Sequence, residues 1–101
     1  MNTSATDLAI PAATSARVGD DALLVELADG RTISAPLAWY PRLLHATAAE
    51  RSNLRLIGKG HGINWPDIEE DISVESVVRG RPSMESAASL TRWLAARNGG
   101  S

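Results

Sequence analysis

Apolar and polar residues alternate through the first third of the chain, from Ala16 to Leu37. Within ARVGDDALLVELADGRTISAPL, the acidic turn signals DD and DG stand between runs in which every second residue is apolar. Alternation with a period of two is typical of strands with one buried face, and Asp-Gly between two such runs favours a hairpin. The pattern predicts a hairpin or small meander, preceded over residues 1–13 by a flexible leader rich in Ala, Ser and Thr.

The turn of this hairpin decides which residues face each other. A two-residue turn would place Glu26 opposite Ile33, a charge beside an apolar partner. A type I turn closed by Gly30 in the left-handed region instead pairs Val25 with Ile33. We prefer the second register because it gathers the apolar residues on one face. These residues are Leu23, Val25, Leu27 and Ile33.

Further along the chain, helical and extended patterns alternate. Pro41 suits a first helical position, and Thr47 with Glu50 forms a capping box for a second short helix. LRLI and INW read as short strands, and Ser73 can cap a helix that stops at Gly80. A last helix is predicted from Pro82-Ser83 to about residue 97, with Glu85 at its positive end.

These elements predict an α+β fold, a small antiparallel sheet of hairpins with short helices and a C-terminal helix packed on it. Residues 14–80 would form the core domain, and residues 81–101 the C-terminal helix and tail. At 101 residues the chain has room for one domain.

Composition narrows the possible functions. Cysteine is absent, which excludes disulfide frameworks, thiolate metal sites and cysteine nucleophiles. There is neither an apolar run of bilayer-spanning length nor a signal-peptide pattern at the start, so we expect a cytoplasmic protein without a membrane partner. Charge is arranged in blocks, negative over residues 1–30 and 66–78 and positive over residues 31–65 and 79–101.

The stretch LIGKGHGINWPDIEEDISVE carries the densest candidate chemistry. Its glycine spacing misses both common phosphate-binding motifs, and a strand-like segment follows where such a loop needs a helix. We therefore interpret it as a structural motif in which glycines make the turn, tryptophan packs, proline breaks the ladder, and Asp71 or Ser73 caps the next helix. The motif residues are Gly58, Gly60, Gly62, Trp65, Pro66, Asp71 and Ser73.

The acidic run after Trp-Pro offers weak metal candidates. In an extended segment Asp67, Glu69 and Asp71 would share one face, while Ile68, Glu70 and Ile72 would share the other. Three carboxylates on one side could bind a hard cation, but no EF-hand spacing or histidine motif accompanies them. We expect no metal, no cofactor and no catalytic residue, since no nucleophile motif is present either.

Two other surfaces are candidates for binding. A basic patch could bind nucleic acid, and its residues are Arg31, Arg42, Arg51, Arg55 and Lys59. The apolar side of the last helix could dock a protein partner through Met84, Leu90, Trp93 and Leu94. The alternative for that helix is that it covers the domain's own sheet.

Two stretches of the chain together resemble the domain-of-unknown-function family 2442. The matching motifs are Asp29-Gly30-Arg31, Pro36-Leu37, Tyr40-Pro41-Arg42-Leu43, Ala46-Thr47, Gly60 with Gly62-Ile63, Trp65-Pro66, and Glu70-Asp71-Ile72-Ser73-Val74. The resemblance runs from about Ala16 to Gly80. Asn64 stands where the family often has histidine, and Glu69 replaces the usual first aspartate, so a His-carboxylate chemistry would be incomplete here.

The resemblance implies a small α+β domain of bacterial origin with no assigned enzyme activity, and some relatives look like halves of toxin-antitoxin-like pairs. We predict a non-catalytic protein-interaction module, antitoxin-like in such a two-protein system, completed by a protein partner or a homodimer. One alternative is a small ligand- or metal-binding protein or enzyme that uses the Gly60–Asp71 loop. Another is a weak nucleic-acid binder that uses the basic residues 31–59.

Overall fold

The computed structural model describes residues 10–99, and in this range six strands and four α-helices follow one another. They are β1 (Ala13–Val18), β2 (Ala22–Leu27), β3 (Thr32–Pro36), α1 (Pro41–His45), α2 (Ala48–Ser52), β4 (Arg55–Ile57), β5 (Gly62–Trp65), β6 (Glu70–Ser73), α3 (Val74–Val78) and α4 (Ala87–Gly99). Single 3-10 turns lie at Leu37–Trp39, Gly58–Gly60 and Pro66–Ile68.

The strands form two antiparallel sheets of three strands each, β1-β2-β3 and β4-β5-β6. The predicted α+β class is confirmed, with the hairpins divided between two sheets. Of the predicted leader, residues 1–9 lie outside the described residues, and β1 begins at Ala13. None of the helices described between residues 10 and 99 is long and apolar enough to cross a bilayer.

The register predicted for the β2-β3 hairpin is confirmed. Val25 pairs with Ile33 and Leu23 with Ala35. Gly30 has φ +97°, and the amide of Leu27 donates to the Arg31 carbonyl at 2.8 Å, which closes the turn. Because side chains alternate across a strand, this register buries the same face that the sequence pattern selects.

The hydrophobic core takes residues from both sheets and from the turns between them. Its largest fully buried side chains are Trp65, Tyr40, Leu23, Leu37, Leu43, Ile63, Ile68, Val25 and Val74. The indole Nε1 of Trp65 donates to the Arg51 carbonyl at 3.1 Å, so its buried polar atom is satisfied. Gly60 permits a close approach between the sheets, since a Cβ there would lie 2.6 Å from the Ala13 carbonyl oxygen.

The two predicted helix caps are present. Thr47 Oγ1 accepts from the Glu50 amide at 3.1 Å, and the Glu50 carboxylate accepts from the Thr47 amide at 2.8 Å. Ser73 Oγ accepts from the Ser76 amide at 3.0 Å, so Ser73 rather than Asp71 caps α3. These caps are local in sequence, which is why sequence reasoning could identify them.

The last helix, α4, begins at Ala87, so the predicted start at Pro82-Ser83 is wrong. Ser86 caps it by accepting from the Ser89 amide at 3.0 Å. Residues 81–86 precede it without helical structure. The amide of Ser83 donates to the Trp39 carbonyl at 2.9 Å, and Glu85 pairs with Arg42. These tertiary partners hold the segment out of the helix that its sequence favours.

Candidate functional site

A cleft of about 480 Å³ lies between β6 and the segment that leads into α4. Glu70–Ile72 form one wall and residues 81–84 the other, while Tyr40 and Ser76 complete the lining. Cavities that bind ligands in proteins fall in the range of roughly 300–1,000 Å³. The cleft is therefore large enough to receive several atoms of a bound group.

The cleft follows the free edge of β6. This strand pairs only with β5 among the described strands, so its other edge is open. Successive side chains of a strand point to opposite faces. Three consecutive residues, Glu70, Asp71 and Ile72, line the cleft, which places it against the strand's edge rather than against one face.

The hydrogen-bonding pattern between β6 and β5 shows which backbone groups of β6 face this open edge. The amide of Val74 donates to the His61 carbonyl at 3.0 Å, directly beyond the pair of Ser73 with Gly62. In an antiparallel ladder, hydrogen-bonded and non-hydrogen-bonded pairs alternate. The amides of Ile72 and Glu70 therefore point towards β5, and the backbone groups of Asp71 point towards the cleft.

Glu70 lies on the same face of β6 as the buried Ile72, which carries its carboxyl group towards the core. Burial raises the pKa of Glu70 to about 7, with a further upward contribution from the charge of Glu85, a downward one from Arg42 and a smaller upward one from Asp71. Among the described residues none donates a hydrogen bond to this carboxylate. Glu70 is therefore a half-buried acid without a partner.

Tyr40 places a second unpartnered polar group in the cleft. It precedes Pro41 at the start of α1 and is only 2% exposed. Its hydroxyl is buried and has no hydrogen-bond partner among the described residues. Burial raises the pKa of Tyr40, and the charge of Glu70 raises it further. Buried hydroxyl groups are normally hydrogen-bonded, so this one retains an unused hydrogen-bonding capacity.

An ion pair holds the second wall of the cleft in place. The Arg42 Nε donates to both carboxylate oxygens of Glu85 at 3.0 Å, and Nη1 donates to the Ile68 carbonyl at 2.8 Å. Ser89 Oγ adds a hydrogen bond to Glu85 at 2.8 Å. The hydrogen bond from Arg42 lowers the pKa of Glu85. This network fixes the segment before α4 against α1 and leaves the guanidinium of Arg42 committed to Glu85.

The glycine stretch forms a compact turn between β4 and β5. Gly58 and Gly60 have φ of +59° and +88°, and Lys59 between them also has a positive φ of +58°. Trp65 is fully buried, and Pro66 begins the 3-10 turn that follows β5. Asp71, which belongs to the same sequence motif, lies on β6, so the motif extends from the glycine turn to the cleft.

The weak metal candidates do not share one extended face. Asp67 lies in the 3-10 turn, Glu69 has a left-handed φ of +53°, and β6 begins only at Glu70. Asp67 accepts from Asn53 Nδ2 at 2.9 Å, and Asp71 accepts from Asn64 Nδ2 at 2.6 Å. Between residues 10 and 99 no group of three or more His, Asp or Glu side chains is arranged to hold a metal ion.

Four of the five residues predicted as a basic patch have partners within the chain. Two of them form ion pairs at 2.8 Å, Arg31 with Asp29 and Arg42 with Glu85. The other two donate hydrogen bonds: Arg51 to the Leu43 and Leu44 carbonyls at 2.9 Å, and Arg55 to Asn64 Oδ1 at 3.0 Å. Lys59 is exposed in the glycine turn. Nucleic-acid binding by this set stays a prediction.

Of the four residues predicted as an interface, Met84 lies before α4 and the other three lie on it. Met84 is 95% exposed at the rim of the cleft. Leu90, Trp93 and Leu94 are half-buried on α4. The Trp93 ring centre lies 5.1 Å from the guanidinium carbon of Arg42 and 4.6 Å from that of Arg97, so much of its surface is already engaged.

Sequence reasoning missed Tyr40 as a site residue and considered Glu70 only as a ligand or acid/base group in the alternative that uses the Gly60–Asp71 loop. Tyr40 gave no local signal, because its place in the cleft depends on tertiary contacts with β6 and with residues 81–84, which are distant in sequence. Glu70 did give one, since its position shares a strand face with Ile72 and a carboxylate on an apolar face indicates either a partner or a raised pKa.

Comparisons with known proteins place the chain in a family. No curated protein matches it. A crystal structure of a protein of unknown function from Rhodospirillum rubrum has a similar fold, with a TM-score of 0.67 and 23% sequence identity over 81% of this chain and 99% of the other. The model of the family described as protein of unknown function (DUF2442) matches residues 13–83, a range that contains the cleft lining except Met84. The chain therefore belongs to the DUF2442 family.

Proposed function

We propose that the protein is a non-catalytic interaction module that binds an extended segment of a partner protein along the free edge of β6. The observation that carries this proposal is the open cleft lined by three consecutive residues of an edge strand, Glu70–Ile72. An unpaired strand edge presents backbone donors and acceptors in the spacing that another strand matches. The backbone groups of Asp71 would pair with the incoming segment.

The side chains around the free edge of β6 are of types that can bind a peptide. Met84 stands at the rim with 95% of its surface exposed, and a flexible thioether adapts to varied apolar partners. Ile72 and Pro82 add apolar lining, while Ser76 and Ser83 add hydroxyl groups. Apolar walls with a few polar groups are typical of sites that bind by shape and orient by hydrogen bonds.

Charge favours a different protein over a second copy of this chain. Antiparallel pairing of two β6 strands would bring Glu70 and Asp71 of both copies together along four-residue strands. Like charges on neighbouring strands repel, and edge strands use such charges to prevent self-pairing. A partner segment with basic side chains would instead meet complementary charge.

The antitoxin-like role in a two-protein bacterial system is compatible with such a module, because capture of an extended segment of one protein by the other would hold the pair together. It stays a prediction, as do the metal, ligand and nucleic-acid alternatives. The cleft supports the interaction hypothesis best because it combines an open backbone edge with exposed apolar surface.

Selection of a random linear peptide library displayed on phage against the purified chain tests the proposal. We expect enriched peptides to bind Asp71→Ala nearly as well as the original chain, and Asp71→Pro at least about tenfold more weakly, because proline removes the outward amide. Both variants lose the Asn64 contact, so Asp71→Ala is a matched control, and thermal unfolding verifies that both fold.

Hydrogen exchange supplies the structural readout. Bound peptide should slow exchange of the Asp71 amide, which points away from β5. An absence of enriched peptides, or equal binding to Asp71→Pro, would contradict the proposal. A dimer in light scattering with Asp71 already protected would show that a second copy occupies the edge, and the proposed partner would then be wrong.

A further inference from the structure

We infer that the cleft contains a subsite for a cationic side chain, a lysine ammonium or an arginine guanidinium, between Glu70 and Tyr40. The inference rests on the proposed function, because the cation would belong to the bound segment. Two polar side chains carry it. The Tyr40 hydroxyl, in a residue only 2% exposed, has no partner among the described residues, and the half-buried Glu70 carboxylate receives no hydrogen bond from them.

The chemistry of these two groups selects a donor-rich ligand. An ionised carboxylate only accepts hydrogen bonds, and a phenol oxygen can accept as well as donate. Ammonium and guanidinium groups supply several N–H donors and no acceptor, so one of them can satisfy both oxygens at once. A neutral amide would satisfy them more weakly, because hydrogen bonds to charged groups are the strong ones.

The charges that face Glu70 favour a cation over an anion. Asp71 on β6 and Glu85 before α4 add negative potential, while Arg42 on α1 is held by Glu85 at 2.8 Å. Arg81 stands on the opposite wall and is exposed, so solvent and salt screen it. An anion would approach three carboxylates, whereas a cation would neutralise the one that has no partner.

The titration of Glu70 agrees with this geometry. Its pKa is raised to about 7, chiefly by burial, with Glu85 and Asp71 acting in the same direction and Arg42 against them. A bound cation favours the ionised carboxylate and lowers this pKa, so binding releases a proton near neutral pH. Affinity for a cation should therefore rise between pH 6 and pH 8 and level off above.

Fragment titration followed by ¹H-¹⁵N NMR tests the subsite directly. The probes are n-butylguanidinium and n-butylammonium chloride, with 1-butanol and pentanoate as neutral and anionic counterparts of similar length. We expect the two cations to shift the Glu70 and Asp71 amides in a saturable way. We expect the counterparts to shift them at least about tenfold more weakly, because hydrogen bonds to ionised groups dominate the contact.

Two variants identify the groups responsible. Glu70→Gln keeps the shape and should lose most of the preference for cations together with its rise between pH 6 and pH 8. Tyr40→Phe removes a hydroxyl that has no partner, so the fold should persist while cation binding weakens severalfold. Glu69→Gln, at an exposed position next to Glu70, is the control and should bind like the original chain.

The outcomes separate this inference from the proposed function. Equal shifts by butanol or pentanoate, no shifts at all, or unchanged cation binding in Glu70→Gln would overturn the subsite. Enriched peptides that lack lysine and arginine but still depend on the Asp71 amide would overturn the subsite and leave the peptide-binding proposal intact. Cation binding without any enriched peptide would contradict the peptide proposal alone.

Discussion

The core formed by residues 13–80 and the segment over residues 81–97 are held by different forces. Among the residues whose burial the structure describes, every buried hydrophobic residue lies between Ala13 and Val77, and residues 81–97 contain none. The segment is fastened mainly by ion pairs, Arg42 with Glu85 and Arg97 with Glu50, and by Trp93, which lies beside two guanidinium groups and packs against the edge of the core. Apolar burial is the dominant stabilising term, so the core should unfold as a unit and the segment should detach at lower cost.

This difference bears on the cleft, which lies where the two regions meet. One wall is β6, anchored by the buried Ile72 and the ladder to β5. The other wall is fastened by polar contacts, chiefly the ion pair of Arg42 with Glu85, and carries no fully buried apolar side chain over residues 81–84. A wall held by polar contacts outside the apolar core can adjust to side chains of different sizes at lower cost than a wall held by buried apolar packing.

The largest expected effect comes from Trp65→Ala in the core. Trp65 is fully buried and donates to the Arg51 carbonyl at 3.1 Å. Truncation leaves a cavity and an unpaired carbonyl, so we expect a loss of about 3–5 kcal/mol in the free energy of unfolding. Urea denaturation followed by circular dichroism measures it. A loss below about 1 kcal/mol would contradict the division between core and segment.

A smaller effect, of opposite sign, is expected from Glu70→Gln at the junction. The pKa of Glu70 is about 7 in the folded state and 4.5 without the fold. Below pH 4.5 the carboxyl group is protonated in both states. Between pH 4.5 and pH 7 the unfolded chain loses its proton first, so this group lowers the free energy of unfolding as pH rises, and above pH 7 the loss is constant.

Glutamine removes this pH-dependent loss. A full shift of this size corresponds to at most about 3.5 kcal/mol. Solvent screening of a half-buried group reduces the expected gain to about 1–2 kcal/mol at pH 8, with little gain at pH 4.5. Thermal unfolding at both pH values measures it. Glu69→Gln serves as the exposed control, and an equal gain at the two pH values would refute the explanation.

The smallest global effect is expected from Trp93→Ala on α4, the counterpart of Trp65→Ala. Trp93 is only half-buried: it packs against the edge of the core and lies beside the guanidinium groups of Arg42 and Arg97. We expect the amides of α4 to lose protection in hydrogen exchange while the unfolding midpoint falls by only a few degrees. Cooperative unfolding of the whole chain in this variant would show that α4 is part of the core.

The same variant tests the sequence-based hypothesis that α4 docks a partner. If peptides selected on the original chain bind Trp93→Ala normally, the cleft edge acts without the helix. If binding is lost while the core stays folded, the helix contributes to the interface, and Leu90 and Leu94 would be the next residues to truncate.

Elements whose signals lie within a few residues could be predicted from the sequence. The register of Val25 with Ile33, the capping box of Thr47 with Glu50, and the cap at Ser73 each depend on alternation or on groups three residues apart. The start of α4 could not be predicted in this way. Pro82-Ser83 is a good local start, but Arg42, far away in the chain, binds Glu85 and keeps that stretch out of the helix.

The sequence by itself therefore determined the α+β class, the turns and caps, and the family, because local patterns and motifs are sufficient to identify each of them. Only the tertiary structure decided which polar groups meet. Tertiary packing buries the Tyr40 hydroxyl in the lining that it shares with Glu70, and the ion pair of Glu85 with Arg42 holds the opposite wall. Burial and long-range charge set the properties of such groups, and neither is a function of sequence neighbours.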